Sequence, residues 1–193
     1  MNRKLKKNVT ISMMLAIAIV LNIVEAQMFF FIPVPGAKLG LANIVTLIVL
    51  YTFGFPEAFV VAILRTVIAS ILMPGRFLGP TFYMSISGGV ISVLIMGFFK
   101  KINFFGIVGT SLFGSLTHVM GQVLVGYYVI GEGLLVYLPF MLIFGVITGF
   151  LIGMIANKFL TTSKDWLGPV VKNTKPTKRN KQTKVNNDYE SHT

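Results

Sequence analysis

The chain contains no cysteine, which excludes disulfides, thiolate chemistry and cysteine-ligated metals. Charge is also scarce: Asp, Glu, Lys and Arg make up 12% of the 193 residues, about half the usual share of a soluble domain. Aspartate occurs only at Asp165 and Asp188, beyond the last long apolar run. That leaves nothing from which to build a paired-carboxylate or magnesium–diphosphate centre. No G-x-x-x-x-G-K-[ST] run is present, so the chain does not hydrolyse ATP through a P-loop, and no His/Glu zinc pattern occurs. These absences argue against an integral enzyme, and neither a catalytic residue, a cofactor nor a metal is expected.

What fills the sequence is apolar. Hydrophobic residues make up 54% of it and the mean hydropathy is +0.79. A soluble domain could not hide that much apolar surface, so the bilayer is the expected solvent. The basic start followed by an apolar run is not read as a signal peptide, because the hydrophobic pattern continues down the chain. Six candidate spans follow, at 9–26, 39–54, 56–73, 82–99, 104–128 and 134–157. The second is short and carries Gly40 near its start. The runs are continuous rather than alternating, which favours helices over a β-barrel. The expected fold is therefore an all-α integral membrane bundle of six helices. It is divided into a basic N-terminus (1–8), a membrane domain (9–160) and a disordered basic tail (161–193).

Charge sets the orientation. With an even number of spans, one side receives Arg3, Lys4, Lys6 and Lys7, the Lys100–Lys101 pair and the basic tail. Together these are 14 of the 17 Lys and Arg residues. By the positive-inside rule that side is cytoplasmic, and so are both termini. The segments 33–43 ("PVPGAKLGLAN"), 74–80 ("PGRFLGP") and 127–133 ("YYVIGEG") then face outward. The tail's Lys and Arg would suit anionic lipid or nucleic acid, but the plainer reading is a solvated topology anchor. The bilayer is an expected partner and nucleic acid is not.

Polar residues inside apolar runs carry information, because burying them in lipid is expensive. Arg65 sits nine residues into the third span, about 13 Å deep. Either it meets an anionic group of a ligand or it pairs with an acid such as Glu25. Ser111, Ser115, His118 and Gln122 recur at helical spacing on one face of the fifth span. They form a cavity lining or a row of interhelical hydrogen bonds. The fourth span repeats the pattern with Ser85, Gly88 and Ser92. Small residues also align: Ser12 with Ala16, Ala18 with Asn22 and Ala26, and Gly145 with Gly149 and Gly153. Such faces let helices approach closely, inside the bundle or against another membrane protein.

"PGAKLGLANIVTL" (35–47), "FYMSISGGVISVLIM" (82–96) and "GSLTHVMGQVLVG" (114–126) together resemble a bacterial family called Gx transporters, also labelled heptaprenyl diphosphate synthase component I. That family is similar to the substrate-binding S components of energy-coupling factor (ECF) transporters. The resemblance covers about residues 9–157. The family pattern has His-Asn in the third motif, where this chain has His118 followed by Val119.

The resemblance implies a six-helix S-component fold in the bacterial plasma membrane, with an outward-opening solute site capped by its outer loops. The implied partners are a small-molecule solute, a transmembrane coupling subunit and two ATPases. The coupling subunit would dock on the first helix at Ser12 and Ala16, which match an Ala-xxx-Ala-like pattern with Ser in the first place. Candidate solute contacts are Lys38, Asn43, Arg65, Ser85, His118 and Gln122. The solute would be a small, anionic, vitamin- or precursor-like molecule. The alternative is a non-catalytic membrane accessory of heptaprenyl diphosphate synthesis, the menaquinone side chain. In the 33–43 segment Pro33 and Pro35 remove donors and stiffen the chain, while Gly36 and Gly40 permit tight turns. This suits a cap that turns Lys38 inward, or an outer loop whose Lys38 snorkels to the interface.

Overall fold

The computed structural model describes residues 3–28, 40–102 and 105–163. All regular structure among them is helical: α1 (Arg3–Met28), α2 (Asn43–Thr52), α3 (Phe55–Leu72), α4 (Pro80–Ile102), α5 (Gly106–Ile130) and α6 (Leu138–Thr162). A 3-10 segment at Glu132–Tyr137 precedes α6. Five helical stretches are long and apolar enough to cross a membrane. Their positions follow the expected spans within a few residues. α1 begins at Arg3, so the N-terminal basic cluster is part of this helix rather than a separate segment. α6 runs to Thr162, two residues into the expected tail, and most of that tail lies outside the described residues, as do Lys38, Pro33, Pro35 and Gly36.

The second span needs correction. The stretch 39–54 yields a helix of only ten residues, about 15 Å long and half a hydrocarbon core. Its ends are set by two glycines with positive φ, Gly40 (φ 82°) and Gly54 (φ 120°), which interrupt helical geometry on either side. α2 is buried on all sides, with eight of its ten residues inside the molecule. A helix that is apolar all round belongs in a core. Leu47, Val49 and Leu50 pack there with Met14 and Ala18 of α1, Ala58 and Val61 of α3, Val93 and Met96 of α4, and Ile152 and Ala156 of α6.

The outer faces are apolar instead. On α1, Met13, Ile17, Val20 and Val24 are exposed, and on α6 Phe140, Ile143, Ile147 and Phe150 are. Exposed apolar surface of this extent, on helices of this length, is the surface of a protein solvated by lipid.

Polar contacts fix the alternation of the helices. Lys7, near the start of α1, pairs with Glu57 in the first turn of α3. Lys100, near the end of α4, donates to the Leu50 carbonyl at 2.5 Å, and its ammonium lies 5.3 Å from the Tyr51 ring centroid. The Tyr51 hydroxyl pairs with Thr110 Oγ1 at 2.9 Å and donates to the Gly106 carbonyl at 3.3 Å. The starts of α1, α3 and α5 and the ends of α2 and α4 therefore gather at one end. α6 runs antiparallel to α5, with Gly145 facing Val119, Gly149 facing Ser115 and Gly153 facing Val108 and Ser111. Its C-terminus returns to the same end. Lys100 thus satisfies a C-terminal carbonyl of α2, where a cation is electrostatically favoured.

Candidate functional site

At the opposite end of the bundle, five elements converge on a buried polar cluster. Glu25 of α1 is 1% exposed. Its carboxylate accepts hydrogen bonds from the backbone N–H groups of Gly40 and of Leu41, the latter at 3.2 Å. The chain entering α2 is thereby tied to α1. Gly40 then turns with positive φ, and a Cβ there would lie 2.9 Å from Asn43 Nδ2 and 3.5 Å from His118 Cδ2. Only a residue without a side chain fits between those two groups in that conformation. The Asn43 N–H donates back to the Gly40 carbonyl at 2.8 Å, which closes the turn.

Asn43 turns its side chain toward α3. Its Oδ1 accepts from Arg65 Nη2 at 2.5 Å. Arg65 is 2% exposed and feels the charge of Glu25. Of the two alternatives for Arg65, the acidic neighbour is therefore present. Arg65 Nε and Nη1 and Asn43 Nδ2 have no hydrogen-bond partner among the described residues.

α4 passes between α3 and α5 with paired glycines. A Cβ at Gly89 would sit 3.9 Å from Arg65 Nη2, and one at Gly88 would sit 2.7 Å from the His118 carbonyl and 2.9 Å from Gln122 Cγ. Arg65 on one side and His118 and Gln122 on the other therefore flank the same two residues. Gln122 is fully buried, and both its amide atoms lack partners among the described residues. His118 is buried against Gly40 and Gly88.

Of the six candidate solute contacts, the structure brings Asn43, Arg65, His118 and Gln122 together. Ser85, one turn from Gly88, is buried as well, but its hydroxyl donates to the Thr81 carbonyl at 2.6 Å, so it offers only acceptor capacity. Lys38, and with it the question of a cap, lies outside the described residues. Sequence reasoning named Glu25 only as a possible partner for Arg65; its hold on the Gly40 and Leu41 amides joins residues far apart in the chain and left no local signal.

The small-residue faces divide into two kinds. Gly145, Gly149 and Gly153 are consumed by packing against α5, and Ala18, Asn22 and Ala26 face the interior. Ser12 and Ala16 lie on the exposed face of α1. The polar row on α5 splits likewise: Ser111 and Ser115 lie against α6, while His118 and Gln122 lie against α4. Among the described residues no group of three His, Cys, Asp or Glu side chains could hold a metal ion.

The family model described as heptaprenyl diphosphate synthase component I matches residues 14–159, most of the chain. The chain belongs to that family, under the second of the two labels that its motifs suggested. No curated protein and no solved structure matches it.

Proposed function

We propose that this member of the heptaprenyl diphosphate synthase component I family is a solute-binding membrane subunit, similar in role to the S component of an ECF uptake transporter. It would hold a small vitamin- or precursor-like solute by an anionic group at Arg65. The observation that carries this reading is the buried Arg65, whose Nε and Nη1 have no acceptor among the described residues, beside Asn43 Nδ2 and the Gln122 amide, which likewise have no partner among them. Unsatisfied buried donors are expensive, and a ligand with matching acceptors removes that expense. The solute would enter from the end opposite the basic termini. Asn43, Arg65, Ser85, His118 and Gln122 are its proposed contacts, with Lys38 closing over it.

The family's description favours a second reading, a non-catalytic membrane component of heptaprenyl diphosphate synthesis. It is the more direct of the two in relation to the family match. The six acidic residues of the whole chain, three of them at or beyond residue 165, fit a non-catalytic part.

One purification separates the readings. Small molecules released by denaturing protein isolated in mild detergent are identified by mass spectrometry, and the same protein is assayed for chain elongation with a candidate catalytic partner. Transport predicts a small polar anion and no change in elongation. A partner-dependent rise in prenyl product supports the second reading and removes the first.

The proposed partners are a transmembrane coupling subunit and two ATPases, with docking through the outward Ser12–Ala16 face. Ser12→Leu and Ala16→Leu each add bulk where two helices would meet. Complex recovery should fall at least several-fold while the isolated variants keep their solute. Wild-type recovery of the coupling subunit and ATPases would show that this face only meets lipid.

The proposed location is the bacterial plasma membrane with both termini cytoplasmic, as residues 1–8 and the basic tail from 161 suggest. The cysteine-free chain makes this simple to test. A cysteine at Glu132 should react with an impermeant reagent added to intact cells, and one at Lys101 should react only after lysis. The reverse pattern would invert the topology.

A further inference from the structure

The polar atoms of the Arg65 layer are sealed. Arg65 Nε and Nη1, Asn43 Nδ2 and both amide atoms of Gln122 have almost no surface open to solvent. A solute reaches or leaves them only when a covering element moves. On the α1–α2 side the cover is the Gly40–Leu41 turn, which the buried Glu25 carboxylate holds through two backbone N–H groups. On the α4–α5 side it is the link between α5 and α6.

That link reaches the α4–α5 seam through one side chain. Leu134 is the sole buried residue of the 3-10 segment Glu132–Tyr137. A Cβ at Gly126 would overlap Leu134 Cδ2 and would lie 2.9 Å from Met84 Cε, so Leu134 fills the space that Gly126 leaves free, beside Met84. Gly126 follows Gln122 by four residues on α5, and Met84 precedes Gly88 by four on α4. α5 runs away from the basic end and α4 toward it. Both therefore lie one turn, about 6 Å, outward of the Gln122–Gly88 contact, on the same helix faces. Leu134 and Met84, 2% and 0% exposed, close the seam directly outside Gln122.

The rest of the link is held lightly. Glu132, Gly133, Leu135 and Val136 are exposed. Nothing lies within 4 Å of a Cβ at Gly133. Tyr127 ties to Glu132 by an exposed hydrogen bond at 3.3 Å. Gly131 (φ 112°) makes the break after α5, in a conformation suited to glycine. A 3-10 run of six residues is long for a geometry with poor hydrogen bonds, and a segment with one buried anchor opens easily.

We infer that residues 131–137 are the lid of the solute site, hinged at Gly131, with Leu134 as the plug that seats on Gly126. This rests on the solute-binding reading of the Arg65 layer and adds the route of entry. The ligand passes between the outer ends of α4 and α5, past Met84, a side chain flexible enough to yield. The turn held by Glu25 is the fixed wall opposite.

The test uses a Gln122→Cys reporter in the full-length, cysteine-free chain. It is treated in detergent with a small water-soluble methanethiosulfonate and followed by intact-protein mass. Thiols react as thiolates, which form where water reaches. Tyr128→Cys, at a position 81% exposed, sets the rate of an open site, and Met96→Cys reports loosening of the core. Leu134→Ala removes the plug, and Gly126→Ala fills its seat. Each is expected to raise the Gln122→Cys rate at least tenfold and to leave the Met96→Cys rate unchanged. The lid is refuted if Gln122→Cys already reacts as fast as Tyr128→Cys with Leu134 and Gly126 in place, or stays equally slow in all three backgrounds. Equal acceleration of Met96→Cys also overturns it, because Leu134 would then hold the bundle as a whole. The solute-binding reading is judged apart, by mass spectrometry of molecules co-purifying with the wild-type chain. A polar anion there, with unchanged rates, keeps the site and removes the lid; no such molecule removes the reading on which the lid rests.

Discussion

Arg65→Gln is expected to abolish solute binding and to destabilise the bundle by about 3–5 kcal/mol, the typical effect of leaving one partner of a buried charge pair alone. The sequence alone suggests a folded, inserted variant that has merely lost its ligand. The structure adds the reason for a stability effect. Glu25 is as deeply buried as Arg65, and its carboxylate organises the Gly40 and Leu41 amides. Without the guanidinium, that carboxylate keeps its hydrogen bonds but loses the positive charge acting across from it.

The double variant Glu25→Gln/Arg65→Gln removes both charges and should recover most of the stability, since replacing a buried pair with neutral groups is often close to neutral. It should not recover binding, because a glutamine supplies no permanent positive charge. Thermal unfolding in detergent reads the first quantity and mass spectrometry of co-purifying molecules the second. Wild-type stability in the Arg65→Gln single variant would show that Glu25 and Arg65 do not compensate each other. Wild-type solute content would move the site elsewhere.

The second large effect concerns the paired glycines of α4, which are not equivalent. Gly88→Ala places a methyl group 2.7 Å from the His118 carbonyl, a backbone atom that cannot rotate away. α4 and α5 must separate, and the separation occurs where His118 and Gln122 enter the site. The expected outcome is a loss of about 1–3 kcal/mol from overpacking, together with impaired binding. Gly89→Ala meets its nearest neighbours, Arg65 Nη2 and Thr66 Oγ1, at 3.9 Å, an ordinary contact. It should fold with wild-type stability. Equal melting temperatures for the two variants would mean that the α4–α5 approach at Gly88 is looser than the geometry indicates.

Part of this protein could be read directly from its sequence. The long apolar runs marked five of the helices within a few residues, because hydropathy adds up along a contiguous segment and lipid imposes a minimum length. The polar residues within those runs pointed to Arg65, His118 and Gln122, since an isolated polar group in a span is conspicuous against its neighbours, whereas Asn43 entered only with the family resemblance. The character of α2 was legible only in part: its shortness and Gly40 showed in the sequence, but its hydropathy matches that of a span, and the positive φ at Gly40 and Gly54 and the surrounding helices make it an enclosed core element.

The sequence by itself determined the solvent, the helical class and the charge asymmetry, because these are sums over residue types in order. Tertiary structure alone decided which polar groups are engaged. Thr66 and Thr46 are the same residue type in similar apolar helices, yet Thr66 bonds its own helix and Thr46 does not. Likewise, Gly149 packs against Ser115, whereas the small face at Ser12 and Ala16 remains exposed. A hydrogen bond or a close approach is a relation between two places in space. For α1, α3, α4 and α5 those places come together only when the bundle closes, with residues 25, 65, 88 and 118 as neighbours.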